Sequence, residues 1–434
     1  MTPRTTTLIL LAWLCTTHGF ASDGAADPDF GGNGQVAWRR PVTFANGTEH
    51  PTGDVVALED GRFVWAQPLD DGSIWIGRAL HRGTPDPSFG PAHDGYAIVP
   101  ACGLPGNARL AVDGDGFVLW AANCLVRVHA DGSLDATFAT ATPTLPGFAA
   151  VGLERDHAGR FVLAGNLGLM LKVFRFNPDG SVDSSFGDRG SVDIEVPYMR
   201  QRGLRALALG TQGRILAAGY RGTADGSGAV VAALDADGNP DITWNGTGLV
   251  AMDGDDMYPT MSANAIAVEA DGRVVASGIA VNGTGESYLL TLFEPTGRID
   301  PTFGMRIFGV AGGPVSALET IEGLLLLPNH RFMLGSTAVD DSFDHRTQYT
   351  LVRTLSDGTL DRTFGVGGGM RYTIADPLGM GHTGDYNQLH AIVHDRFDDS
   401  VLVYGRTFFE DDEDDYVTLV RVRFDLVFGD GFDR

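Results

Sequence analysis

Seven aspartates recur in one short phrase, Asp-x-[Ser/Thr/Asp]-[Phe/Trp]: Asp27–Phe30, Asp86–Phe89, Asp135–Phe138, Asp183–Phe186, Asp241–Trp244, Asp300–Phe303 and Asp361–Phe364. A carboxylate can act as a general acid or base, or hold a hard cation. A catalyst needs one site, however, and a group needed once per repeat is most simply a device of the fold. Aspartate at the start of a tight turn accepts a hydrogen bond from the amide two residues on, and Ser or Thr at that position adds its own. Asp183 with Ser185, Asp300 with Thr302 and Asp361 with Thr363 have this form. The aromatic that follows is expected to anchor the turn between repeats.

Other constellations are weaker. "DADGNPD" (Asp235–Asp241) and "DGDG" (Asp113–Gly116) resemble calcium loops, but such a loop needs several oxygens at fixed offsets and a closing bidentate acid. Neither stretch has the full set, so ordinary turns are expected. Calcium is the one cofactor these oxygens would suit, and the expectation is no cofactor. His382, His390 and His394 cluster near the seventh repeat. Alternation along a strand would put the last two on one face, without the further ligands that zinc requires. No nucleophile elbow, metalloprotease helix, phosphate loop or dinucleotide fingerprint occurs.

A second phrase alternates with the first: "DGRFVWA" from Asp60, "GDGFVLWA" from Gly114, "AGRFVLAG" from Ala158, "QGRILAAG" from Gln212, "DGRVVASG" from Asp271, "NHRFMLGS" from Asn329 and "DDSVLVYG" from Asp398. Periods of this length mark propellers or arrays. The fifth repeat reads as four strands, 248–252, 264–270, 273–279 and 288–294, with a hairpin turn at Asp271-Gly272. Short β-branched and aromatic runs, 59 glycines and no long helical periodicity make the chain all-β. A four-stranded unit cannot bury both faces alone, so repeats must stack.

These residues resemble the delta-60 repeat family, whose unit reads DG[RK]ILxAG followed by YNPDGSLDTTFG. "QGRILAAG" and "FRFNPDGSVDSSFG" from Phe174 carry the likeness. The resemblance implies a β-propeller-like fold in exported bacterial proteins, and no activity. The last repeat lacks its own Asp-x-x-Phe phrase, while "DPDFGGNGQVAW" from Asp27 opens the chain as an orphan copy. The expected fold is therefore a seven-bladed β-propeller of four-stranded antiparallel blades, occupying residues 22–427. It is closed by the N-terminal strand joining the last blade, with Gln35–Arg39 as that blade's innermost strand. Closure removes exposed sheet edges.

Arg4, the apolar run Leu8–Cys15 and "GFA" at 19–21 form a secretory signal pattern over residues 1–21, too short to span a bilayer. The chain is expected to be secreted or periplasmic. Cys102 and Cys124 are left as a candidate disulfide pair. The tail at 428–434 resembles short endings of some exported proteobacterial proteins. A net charge of −24 excludes nucleic acid and anionic lipid surfaces as partners.

Strand alternation gathers the variable loops on one face, and loops on a rigid scaffold are where binding resides. These loops are acidic with aromatics interspersed. Candidate binding residues are Asp253, Asp255, Asp256, Tyr258, Asp340, Asp341, Asp344, Tyr386, Asp411, Asp412, Asp414 and Asp415. The expectation is a monomeric, non-enzymatic exported scaffold whose acidic face binds a protein, glycan or cation. The alternative is a polysaccharide hydrolase or lyase using carboxylates in a central channel.

Overall fold

A computed structural model describes residues 24–41, 51–100, 106–114, 116–121, 124–138, 147–197, 201–222, 226–283, 285–309, 315–340, 346–375, 386–409 and 414–423. The signal segment, the C-terminal tail and Cys102 lie outside the described residues.

The strands follow the repeats. After β1 (Gln35–Arg39) come β2 (Asp54–Ala57), β3 (Phe63–Pro68), β4 (Ile74–Ala79) and β5 (Tyr96–Val99), then β6 (Arg109–Asp113), β7 (Gly116–Ala121) and β8 (Cys124–Val128). The third repeat gives β9 (Phe148–Arg155), β10 (Phe161–Leu167), β11 (Met170–Phe176) and β12 (Ser191–Ile194). The fourth gives β13 (Arg202–Leu209), β14 (Ile215–Gly222), β15 (Ser227–Leu234) and β16 (Leu249–Met252). The fifth gives β17 (Thr260–Val268), β18 (Val274–Asn282), β19 (Gly285–Phe293) and β20 (Met305–Phe308). The sixth gives β21 (Val315–Leu327), β22 (Arg331–Asp340), β23 (Arg346–Thr354) and β24 (Gly369–Tyr372); the last gives β25 (Tyr386–Asp395), β26 (Ser400–Phe409) and β27 (Asp414–Val422).

The expectation of seven separate four-stranded blades is corrected by the hydrogen bonding. Among the described residues, five sheets reach the width of a full blade: β2–β5, β9–β12, β13–β20, β21–β24, and β25–β27 with β1. The sixth sheet, β6–β8, has three described strands. The fourth and fifth repeats merge into one eight-stranded sheet through a parallel pairing of Ser227 with Thr260. Gly226 permits the merger: a Cβ there would lie 2.1 Å from the Pro259 carbonyl oxygen, so only glycine lets these backbones meet. Repeat count and sheet count therefore differ.

The phase of the repeat is also corrected. After six of the seven Asp-x-x-aromatic phrases the next described strand is the outer edge of the preceding sheet, as β16 pairs with β15. Gln35–Arg39 does join the last sheet, pairing antiparallel with β27 from Gln35–Val420 to Arg39–Tyr416. It is the outermost strand there, not the innermost. The innermost positions belong to β2, β6, β9, β13, β17, β21 and β25, which touch one another in a closed cycle. The outer strands are the more solvated, as in the alternating burial of β16, whereas β3 and β4 are buried throughout.

What joins one repeat to the next is visible in the phrase. In each copy an arginine guanidinium lies over the aromatic ring: Arg78 on Phe89, Arg127 on Phe138, Arg175 on Phe186, Arg214 on Trp244, Arg306 on Phe303, Arg353 on Phe364 and Arg421 on Phe30, at 4.4–5.8 Å from the centroid. Arg78, Arg175, Arg214 and Arg353 also donate Nε to the phrase aspartate, at 2.6–2.8 Å. Arg78, Arg127, Arg175, Arg214 and Arg306 reach a backbone carbonyl in the next repeat's turn, at Ala130, Pro178, Ala236, Pro295 and Asp357 respectively.

The aromatic then packs on a left-handed glycine of that next turn: Phe30 on Gly83, Phe89 on Gly132, Phe138 on Gly180, Phe186 on Gly238, Trp244 on Gly297, Phe303 on Gly358, and Phe364 on Gly24. The last contact brings the series back to the N-terminal segment. Arg40 adds a clasp by pairing with Asp415 and donating to the Pro68 carbonyl at 2.8 Å.

Gly180 tests this link. Its φ is +84°, and a Cβ would lie 2.6 Å from the Phe138 ring. Gly180→Ala is expected to lose about 2–4 kcal/mol, from left-handed strain plus overpacking. Gly32 has a φ of +89° but nothing within 4 Å of a Cβ. Gly32→Ala should therefore lose only the conformational part, about 1–2 kcal/mol. Urea unfolding of both variants checks the difference; equal losses would contradict the packing role.

Candidate functional site

The inner strands carry a feature that alternation does not foretell. Five contain a β-bulge, an extra residue that is left out of the ladder and re-aimed. The bulged residues are Val151 in β9, Arg205 in β13, Asn264 in β17, Glu322 in β21 and His390 in β25. All five line an axial cavity of about 1380 Å³, together with Asp54, Arg109 and Glu154. Four of the five bulges thus present a polar side chain to the cavity.

Some of these groups also staple neighbours. The Leu110 amide donates to Asp54 Oδ2 at 2.9 Å, tying β6 to β2. The Gly53 amide donates to His390 Nδ1 at 3.1 Å, tying the first repeat to the last. Asn166 accepts from the Leu204 amide at 2.7 Å beside the bulge of β13.

Two carboxylates dominate the electrostatics. Asp54 is pushed up by burial, which outweighs the pull of Arg109 and of the Leu110 and Val55 amides. Glu154 is raised to about 7 by enclosure within the ring, with the charge of Asp54 adding to the effect. Its side chain is exposed, but the surface it exposes faces the channel. Register places Glu154 level with Val56, Ala111, Ala208, Ala267, Leu325 and Val393 of the other inner strands. It is the one acid at a position that is otherwise apolar, which is a signal the sequence held.

The phrase aspartates sit in turns. Asp183 Oδ1 accepts from the Ser185 amide at 3.1 Å, and Asp361 Oδ1 from the Thr363 amide at 3.1 Å. Asp27, Asp86, Asp135, Asp241 and Asp300 accept likewise from the residue two on, at 2.8–3.0 Å. Burial pushes the Asp183 carboxyl up, but Ser185 and Arg175 outweigh it and hold it below the usual range. The calcium-like stretches are turns: Asp235 Oδ1 accepts from the Asp237 and Asn239 amides, both at 2.9 Å, and Asp113 pairs with Gly116 across a hairpin.

The acidic loop candidates fare unevenly. Asp253 is paired with Arg221 at 2.6 Å, and Asp255 caps its own loop through the Met257 and Tyr258 amides. Asp256 is exposed and Tyr258 half-buried. Asp340 ends β22 and Asp414 begins β27. Tyr386 is exposed at the start of β25, its ring 6.5 Å from that of Phe408. Asp415 is buried between Arg40 and Arg406, a clasp residue rather than a displayed acid. Asp341, Asp344, Asp411 and Asp412 lie outside the described residues, as does His382. His390 and His394 are engaged apart, His394 Nε2 lying 2.7 Å from Asp399. Cys124 begins β8 opposite Ala121.

His81, Asp395 and Asp398 bring three ligand atoms within 4.8 Å of one another. The buried guanidinium of Arg421 sits among them, 3.0 Å from Asp395 and 3.1 Å from His81, and supplies the positive charge.

Residues 121–138 and 159–186 match a family model described as Domain of unknown function (DUF5122) beta-propeller. The match supports a β-propeller repeat family and does not extend to the delta-60 name. No curated protein matches the chain.

Among solved structures, the chain is similar to the extracellular domain ascribed to a one component system of B. thetaiotaomicron, with 12% identity and a TM-score of 0.36 over 80% of this chain and 44% of that one. A second structure from B. thetaiotaomicron, ascribed to a hybrid two component system, gives 11% and 0.35 over 86% and 52%. A protein of unknown function from Dyadobacter fermentans gives 13% and 0.44 over 90% and 100%. The chain spans about half the length of the two B. thetaiotaomicron domains. Among the described residues, no helix is long and apolar enough to cross a membrane.

The raised Glu154 carboxyl has a consequence for stability. Between pH 4.5, the ordinary value, and about 7, the folded chain holds a proton that the unfolded chain has released. Stability is therefore lost as pH rises through that window. Glu154→Gln is expected to make this loss shallower and to leave the variant the more stable above neutrality. Denaturant unfolding over a pH series checks it, and an unchanged slope would contradict the placement of Glu154.

Proposed function

We propose that the chain is an exported, non-enzymatic β-propeller scaffold that holds a small polar ligand in its axial channel. The observation that carries this reading is the channel itself, a volume of about 1380 Å³ toward which separate inner strands turn polar side chains at bulges. A volume of that order is what ligand sites of folded proteins provide. The acidic loop face is less well supported, because Asp253 and Asp415 are already committed to arginines.

A specific observation also favours a second reading. Asp54 and Glu154 line the same channel, and the charge of Asp54 raises the proton affinity of Glu154. A polysaccharide hydrolase or lyase would use such a pair, Glu154 donating a proton and Asp54, beside Arg109, as the second carboxyl.

One experiment separates these readings. Melting of the exported protein is followed with a panel of neutral sugars, sugar acids, amines and divalent cations, for the parent and for Asn264→Trp, which fills the channel at a bulge. A ligand present at a hundred times its Kd should stabilise the parent by about 2.7 kcal/mol, and Asn264→Trp should abolish the shift. Shifts that survive in Asn264→Trp place binding elsewhere and contradict the channel reading. Glycan turnover that is lost in Glu154→Gln would replace the scaffold with the enzyme.

A further inference from the structure

The arginines that line the channel are mostly spoken for. Arg62 pairs with Asp60 and Asp86, Arg78 with Asp86, and Arg155 with Asp113 at 2.9 Å. Arg109 donates to Thr52 Oγ1 and to the Ala108 carbonyl, beside Asp54.

Arg205 differs. It is the bulged residue of β13, exposed to the channel, and no carboxylate pairs with it among the described residues. Its guanidinium lies 5.4 Å from the Tyr220 ring centroid, which holds the plane without neutralising the charge. Arg396 also lacks a described carboxylate partner, but it lies past the far end of β25. In a chain of net charge −24, a guanidinium left without an acid inside a cavity is out of keeping with its surroundings.

A second donor is presented in the same way by the adjacent inner strand. Asn264 is the bulged residue of β17, which packs against β13. Its Oδ1 accepts from Ser262 Oγ at 2.6 Å, so the amide NH2 is the group it offers to the channel. A guanidinium fork and an amide NH2 are both donors, and together they suit an oxyanion. Asp54 and Glu154 line the same cavity from β2 and β9. Carboxyl groups there would bond hydroxyls and disfavour a purely anionic occupant.

Taking the channel-binding reading as its basis, we infer that the channel takes a hydroxylated carboxylate of sugar-acid size, its carboxylate held by Arg205 and Asn264 and its hydroxyls by Asp54 and Glu154. The bulged donors and the two acids together supply the selectivity: a neutral sugar leaves Arg205 without its anion, and a simple carboxylate leaves the acids without hydroxyls.

The test is isothermal titration of the exported protein with D-glucuronate, D-glucose and acetate as probes, on the parent, Arg205→Gln, Arg205→Lys and Asn264→Trp. Circular dichroism and melting confirm that each variant is folded; Arg205, being exposed, should tolerate both replacements. Glucuronate is expected to bind more tightly than glucose or acetate. Arg205→Gln should weaken it by about ten-fold or more, as loss of a charge-assisted contact does, and Arg205→Lys should recover part of that loss because the charge returns without the fork. Glucuronate binding no tighter than glucose, or an Arg205→Gln affinity equal to the parent's, would overturn the inference. If glucose binds and Asn264→Trp abolishes it while glucuronate does not bind, the channel reading stands and this inference falls. If no probe responds to Asn264→Trp, both fall.

Discussion

The structure depends on one repeated contact, an arginine held between the aspartate and aromatic of its own repeat and the turn of the next. Arg175 shows it fully: it bonds Asp183 at 2.7 Å, lies 4.5 Å from the Phe186 centroid and donates to the Ala236 carbonyl. It is almost wholly buried, and its charge is tolerable because Asp183 pairs with it and Nε and Nη1 have acceptors. Replacing one partner would leave the others desolvated and unpaired. The contact is directional: five of the arginines reach a carbonyl of the following turn and all seven aromatics pack on a glycine there, which converts a linear repeat into a ring. Phe364 on Gly24 is the step at which the direction has to meet its own beginning.

Closure then determines what the centre can be. Inner strands that touch in a cycle leave a channel bounded by strand edges, while their alternating side chains are used up in packing between neighbours. Asp54, Arg109 and Glu154 reach that channel from regular register positions. In five of the inner strands a bulge releases a side chain from the packing, and four of these five residues are polar. Scaffold and site are thereby separated: the phrase residues hold the ring and the bulged residues face its axis.

The ring was legible in the sequence because its parts are periodic. The Asp-x-x-aromatic phrase, the hairpin turns and the orphan N-terminal copy all occupy their places in the ring, and the orphan copy pairs with β27. Part of the link was legible too, though unread: an arginine stands eight residues before Asp86, Asp135, Asp183 and Asp361. Strand phase was not legible. An inner and an outer strand alternate alike, and only the neighbour across the hydrogen bonds tells them apart, so alternation does not show at which edge Gln35–Arg39 lies. Sheet count was hidden in Gly226, whose importance is a backbone approach with no periodic signature. The channel residues were the least visible, since a bulge is one extra residue in a register that sequence does not display. The imidazole of His390 is visible in the sequence, whereas its bond from the Gly53 amide comes from the far end of the chain.

The account stands most directly on closure by the N-terminal segment. Calorimetric unfolding of a chain lacking residues 22–40 measures it, set against the full chain and one lacking only residues 429–434. The first deletion removes β1, the Phe30–Gly83 contact and the Gly24 seat of Phe364. The midpoint of that variant should fall by about 10 °C or more, with a broadened transition, while the tail deletion should melt with the full chain. Coincident melting of all three chains would show that the ring holds without its clasp, and would contradict the central claim.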